Sequence, residues 1–365
     1  MRYFFEYHYW IRAVHVWVEH DGDDLISHEI STDGKHLNVH SSKKGLTVVD
    51  LPCAVKSNSK PVFQKNKLWN IRLNAAGKDK AFDRSSNYIM ESLGAKWMRK
   101  DLVKHPFSFD CKCCSSPLIS SVECERIRDM PSEFWAEFMD YWHCHKPDVQ
   151  TRQHFENNRD GNDSDEGGIT SNTLFHRYSS PLMPSIGEIV LGDSFMYIHK
   201  DWIPEKLAYD GNIVRSKQCN TEIGSLTKDG IVKIGKWMLR ADVNNVNETF
   251  DFSNYVLYQI INELKAHSTR LFHLKEGNEE AVIWVFGIGS SIKFGETAIQ
   301  ENCLKILYRE GQPTEVEQNQ IIEKLTFEET NSLQVFLQRL ESINNKLPSE
   351  LNHMSKWKVS YISCE

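Results

Sequence analysis

Residues 111–145 read CKCCSSPLISSVECERIRDMPSEFWAEFMDYWHCH and hold five of the chain's nine cysteines. Thiolates and imidazoles make a zinc site only when several converge on one point. Cys111 and Cys114 have the i, i+3 spacing of a zinc knuckle, in which one tight turn aims both sulfurs the same way. Zinc takes four ligands, so this is half a site. The other half must come from His143, Cys144, His145, Cys124 or Cys219. Cys219 follows the polar turn Ser216-Lys217-Gln218 and precedes Gly224, much like the second half of another knuckle. The expected cofactor is a structural zinc ion on Cys111, Cys114, Cys144 and Cys219, with His145 as the alternative to Cys144.

A second chemistry competes for His143-Cys144-His145. Imidazolium neighbours lower a thiol's pKa, and the thiolate is the nucleophile. Adjacent residues on a strand or helix end point different ways, however, so adjacency alone is poor support for a dyad. No catalytic residue is assigned. Cys303, in NCLKILY, reads as a buried strand residue, and Cys364 as exposed and mobile. Glu133, Glu137 and Asp140 form an acidic stripe that reads as a solvated face. Gly287-Ile288-Gly289 lacks the third glycine and following helix of a phosphate loop, and no P-loop, nucleophile elbow or H-E-x-x-H occurs.

The elements that would position these side chains are mostly short strands. Tyr3, Phe5, Tyr7 and Tyr9 share one parity and Val14, Val16 and Val18 the other, which implies strand with a bulge or break near Ile11. Strands are expected at 26–31, 37–41, 46–51 and 68–73, separated by turns such as Asp33-Gly34, as in a β-sandwich or open barrel. A short aromatic helix is expected over 131–142 with Ser132 as N-cap, presenting His143, Cys144 and His145 at its end. Residues 151–173 are rich in Asn, Asp and Gly and read as a flexible insertion. The C-terminal part reads as α+β. It has a strand–turn–strand at 187–198, strands at 232–239, 281–286, 303–308 and 357–362, and helices at 252–273 and 326–345. The fold class is therefore α+β, with a β-rich N-terminal region (1–150) carrying the knuckle, the insertion (151–173), and an α+β C-terminal region (174–365).

With 365 residues, 40% of them hydrophobic and 11% aromatic, the chain can bury a sizeable core. Its net charge of -7 argues against a protein that coats nucleic acid, so no direct nucleic-acid partner is expected. Residues 1–21 carry Arg2, Glu6, His8, Arg12 and His15, and lack the uninterrupted apolar core and cleavage site of a signal peptide. No stretch approaches the roughly 18 apolar residues of a membrane span. Nine clustered cysteines suit a reducing compartment with a metal site better than a disulfide framework. The expectation is a soluble protein of cytoplasm and nucleus.

Several segments in order carry a resemblance. The C-x-x-C pair, PSEFWAEFMDYWHCHK, LGDSFMYI, a cysteine turn before VKIGKWMLR, then AVIWVFG, CLKILY and LPSELNHMSKWKVSYIS resemble the HECT-like proteins that bind ubiquitin-conjugating enzymes. The likeness spans most of the chain and implies one continuous HECT-like unit. It implies a ubiquitin-ligase-type protein with a ubiquitin-conjugating enzyme as partner. The yeast member of the family is linked instead to pre-mRNA cleavage and polyadenylation. That implies, as the alternative, a non-catalytic zinc-stabilised adaptor for the endonuclease subunit of that machinery. In animal members the last cysteine turn tends to be a full C-x-x-C, whereas here Ser216 takes the first place and only Cys219 remains.

Overall fold

Tyr3, Phe5 and Tyr7 are apolar at odd positions and Val14, Val16 and Val18 at even ones, and a tight turn reconciles the two patterns. The computed structural model describes residues 3–20, 22, 24–43, 45–56, 63–65, 68–76, 94–130 and 183–363. In it β1 (Tyr3–His8) and β2 (Ala13–Glu19) form an antiparallel hairpin. The register pairs Tyr3 with Val18, Phe5 with Val16 and Tyr7 with Val14, so both triplets face one side. The break expected near Ile11 is this turn, closed by the Arg12 amide donating to the Tyr9 carbonyl at 3.2 Å.

On that side lies a three-stranded sheet of β3 (Leu25–Ile30), β4 (His36–Ser41) and β5 (Gly45–Asp50). The hairpin sheet is extended by β6 (Phe63–Lys65) and β7 (Leu68–Asn74). Leu37, Val39 and Val49 meet Phe5, Val16, Trp69 and Ile71 in one buried cluster. Each such side chain contributes about 1.5–3 kcal/mol by leaving water.

The chain divides into two compact units, Met1–Ala95 with Asp251–Glu365, and Lys96–Phe250. The second unit opens with the short helix α1 (Arg99–Leu102). A four-stranded sheet takes β8 (Phe107–Cys111) and β9 (Pro117–Ser120) from its start and β17 (Leu239–Val243) and β18 (Val246–Thr249) from its end, in the order β18-β17-β8-β9. A seven-stranded sheet holds β10 (Arg126–Asp129), β11 (Glu188–Leu191), β12 (Phe195–His199), β13 (Leu207–Asp210), β14 (Ile213–Ser216), β15 (Glu222–Leu226) and β16 (Ile231–Gly235). Its order is β10-β11-β12-β16-β15-β14-β13. Trp97 is buried against Phe109 and Phe250, and its indole N–H donates to Glu248 Oε2 at 2.9 Å.

The first unit then resumes with α2 (Ser253–His267), β19 (Leu271–Glu276), β20 (Glu279–Phe294), β21 (Gln300–Glu310), α3 (Glu315–Gln318), β22 (Glu323–Thr326), α4 (Ser332–Asn344), β23 (His353–Met354) and β24 (Trp357–Ile362). The long strand β20 pairs with β19 over its first half and with β1 over its last four residues, which joins the two ends of the chain in one ten-stranded sheet. The first strands thus find their partner near the C-terminus, and Lys96–Phe250 falls in sequence between the two stretches of the first unit. Phe4 stacks on Trp17 on the second face of this sheet, with ring centroids 5.4 Å apart. On the same face Glu6 is buried, 2.8 Å from Lys305 Nζ and 3.4 Å from His8 Nε2.

Two helices are shorter than expected. The first stops at His267 because Ser268 turns left-handed (φ 56°), freeing 271–276 to pair with β20. The second begins only at Ser332, because Glu323–Thr326 is a strand parallel to β19. Glu276 at the end of β19 caps it, accepting from the Leu333 amide at 2.7 Å and the Ser332 hydroxyl at 3.1 Å. Arg339 of α4 then ties it to Asn254 of α2 at 2.7 Å and to the Ser363 carbonyl at 2.8 Å. Overall the described residues are β-rich with four α-helices, compatible with α+β. The expected aromatic helix 131–142 and the insertion 151–173 lie outside the described residues. Gly287-Ile288-Gly289 sits inside β20 at a shift of strand register, so it forms no phosphate loop.

Candidate metal centre

Two strand ends in the second unit deliver the sulfurs. Along β8 the side chains of Phe107, Phe109 and Cys111 point inward and are buried, and the strand stops at Cys111. The following turn brings Cys114 back beside it. Its backbone closes through the Cys111 amide to the Ser116 carbonyl at 2.9 Å and the Ser115 amide to the Cys111 carbonyl at 2.8 Å. Ser115 is left-handed (φ 58°), the conformation that reverses the chain tightly enough for β9 to pair with β8.

The second turn, more than 100 residues later, joins β14 to β15 and carries Cys219. The hairpin depends on Gly224, where a Cβ would stand 2.0 Å from the Lys233 carbonyl oxygen of β16. A bulge between Val214 and Arg215 adjusts the register just before the turn.

The sulfurs of Cys111, Cys114 and Cys219 all lie within 4.8 Å of one another, and those of Cys111 and Cys219 are 3.7 Å apart. Tetrahedral zinc with bonds of about 2.3 Å holds its sulfurs roughly 3.8 Å apart, so this spacing fits such an ion. The cysteines are free thiols, not a disulfide. Burial raises the Cys111 thiol above its ordinary value, opposed by the backbone amides of Cys114 and Cys113. The Cys219 thiol is pulled down to about 6, first by the Thr221 hydroxyl and amide and then by the Ser216 hydroxyl. Amide and hydroxyl donors around sulfur are what a thiolate ligand needs. The cluster could hold a metal ion.

Three of the four expected ligands thus come together: Cys111, Cys114 and Cys219. Cys144 lies outside the described residues, as do His143 and His145. Cys124 stands apart from the cluster, its thiol raised by burial and directed at the Arg126 carbonyl 3.4 Å away. Cys113 is exposed on the same turn. Cys303 is buried within β21 as expected, and Cys364 lies outside the described residues. The residue that ligand-type reasoning passes over is Ser216, at the end of β14. It is 1% exposed, and its hydroxyl faces the Cys219 sulfur.

The family model for HECT-like ubiquitin-conjugating enzyme (E2)-binding proteins matches residues 6–359, through both compact units. The chain belongs to that family. This family member is also similar to a protein of Saccharomyces cerevisiae (strain ATCC 204508 / S288c) named "Uncharacterized protein YJR141W". The two are 29% identical over 299 residues, which is 81% of this chain and 79% of the yeast protein. No solved structure matches the chain.

Proposed function

We propose that this family member is a ubiquitin-ligase-type protein that binds a ubiquitin-conjugating enzyme and acts by holding it, with a structural zinc ion bracing the second unit. The observation that carries this reading is the E2-binding family match running from residue 6 to residue 359. A domain that carried ubiquitin on its own thiol would need an accessible thiolate with a base beside it. The described cysteines do not favour that mechanism. Cys53, Cys111 and Cys303 are buried, Cys124 is raised by burial, and Cys114 and Cys219 belong to the sulfur cluster. Cys113, exposed between two of those ligands, lies on a turn whose geometry serves the metal.

The test is direct. Purified chain is presented with ubiquitin-conjugating enzymes, free and charged with ubiquitin, and complexes are sought by calorimetry and gel filtration. A one-to-one complex with at least one of them, with ubiquitin remaining on the conjugating enzyme's cysteine, is the expected result. Binding to none overturns the partner. A thiol-sensitive ubiquitin adduct on this chain that disappears with a single Cys→Ala change overturns the non-covalent mechanism.

A further inference from the structure

Two turns in the second unit share one hydrogen-bond pattern. In the first, the Cys111 amide donates to the Ser116 carbonyl at 2.9 Å, the Ser115 amide donates to the Cys111 carbonyl at 2.8 Å, and Ser115 has φ 58°. In the second, the Ser216 amide donates to the Thr221 carbonyl at 2.9 Å, the Asn220 amide donates to the Ser216 carbonyl at 2.8 Å, and Asn220 has φ 59°. Position by position, Ser216 stands where Cys111 stands, Cys219 where Cys114 stands, and Asn220 where Ser115 stands. Each knuckle begins at the last inward-facing residue of a strand, since Val214 and Ser216 of β14 are buried as Phe109 and Cys111 of β8 are.

Three of the four equivalent side chains already meet, with all their sulfurs within 4.8 Å. The fourth is Ser216, a buried hydroxyl set against the Cys219 sulfur.

We infer that Ser216 Oγ is the fourth corner of the site, so that this chain binds zinc through three thiolates and one hydroxyl. This inference rests on the zinc reading above and departs from the expected ligand set, in which Cys144 or His145 filled the corner. An oxygen corner carries one negative charge fewer than a fourth thiolate and is a harder donor, so the ion is held less tightly than in a four-cysteine site. The knuckle keeps the backbone that a stronger ligand would use.

Cobalt(II) in place of zinc reads the number of thiolates, because each adds to the sulfur-to-metal charge-transfer band. The full chain and its S216C, S216A, C144S and H145A variants are loaded with cobalt, and zinc affinity is measured by competition with a chromogenic chelator. S216C is expected to raise the charge-transfer band to about four-thirds of the wild-type intensity, as a fourth thiolate joins three, and to bind zinc more tightly. S216A is expected to weaken zinc binding roughly 10-fold or more, at least the cost of losing an outer-shell partner. C144S and H145A should change neither. A wild-type band equal to that of S216C, or zinc binding weakened by C144S or H145A and untouched by S216A, overturns the inference and leaves the zinc reading standing. A wild-type chain that takes up neither metal overturns both. Because S216C is read as a gain, misfolding cannot imitate the expected result.

Discussion

Replacing Lys305 with methionine tests how much of the first unit's stability rests on one buried carboxylate. Glu6 is 1% exposed in the middle of β1, with Lys305 Nζ 2.8 Å from its Oε2 and His8 Nε2 at 3.4 Å. Burial by itself would raise its pKa. The hydrogen bond to His8 and the charge of Lys305 outweigh that and bring it to about 2, from an ordinary 4.5. The gap between those values corresponds to about 3 kcal/mol favouring the folded, ionised state at neutral pH. Methionine keeps most of the apolar stem of Lys305 and removes its charge and the hydrogen bond it donates to Glu6, leaving a buried carboxylate with a weakened set of partners. Removing one partner of a buried pair generally costs about 3–5 kcal/mol. Lys305 is one-fifth exposed, so we expect a loss of about 2–4 kcal/mol at pH 7, at the lower side of that range.

The pH dependence follows from the direction of the shift. Glu6 has a folded pKa below its unfolded one, so its contribution is complete above about 4.5 and is lost as the pH falls toward about 2. More than half of it is gone by pH 3. The difference between wild type and K305M should therefore shrink on acidification. Urea unfolding followed by tryptophan fluorescence at pH 7 and pH 3 measures both quantities. A loss under about 1 kcal/mol at pH 7, or a difference that widens at pH 3, would refute the reasoning.

Glu276→Ala should destabilise the first unit by about 1–2 kcal/mol, because it removes the acceptor that caps the Leu333 amide and Ser332 hydroxyl, and hydrogen exchange at the first turn of α4 should rise with it. Gly224→Ala forces a methyl group against the Lys233 carbonyl oxygen and should cost about 1–3 kcal/mol, seen as a lower urea midpoint; an unchanged midpoint would mean that β15 and β16 can part to admit the methyl group. Metal analysis of the purified chain should give close to one zinc per chain, and Cys111→Ser should both lower that figure and reduce thermal stability, since a structural zinc contributes folding free energy. Less than about half an equivalent in the wild type counts against the metal.

What the sequence discloses depends on how local the cause is. The parity change between Tyr7 and Val14 is a two-strand pattern written in adjacent residues, and the strands at 37–41, 46–51, 68–73 and 357–362 follow from the same alternation. The C-x-x-C turn is equally local. Helix ends are less local, since 326–345 reads as one amphipathic run until β19 claims Glu323–Thr326 for its ladder. Pairing of β1 with β20 has no local signature at all: Tyr9 bonds to Ser291 across 282 positions. The sulfur cluster is intermediate. Residue type points to Cys111, Cys114 and Cys219, and the resemblance marks Ser216 as standing in a cysteine's place, but its part in the site emerges only when the two turns are compared atom by atom. A serine carries no ligand signal in a sequence scan, although Ser115 and Asn220, each four places after the first knuckle residue, hint at the repeat.

The interruption of one compact unit by another sets an order of completion during synthesis. Everything the Lys96–Phe250 unit requires has been made once residue 250 is added. The strand β1 waits for Ser291–Phe294, and at roughly 5–20 residues per second that delay is on the order of 15–60 s. Throughout it β1 has an unpaired edge, and its own Phe4 and the neighbouring Trp17 of β2 lack the C-terminal residues that cover them. Such an edge invites pairing with other chains, which makes the newborn N-terminus a natural client for chaperones. A chain cut short soon after residue 250 would therefore carry a finished second unit joined to a first unit that cannot close.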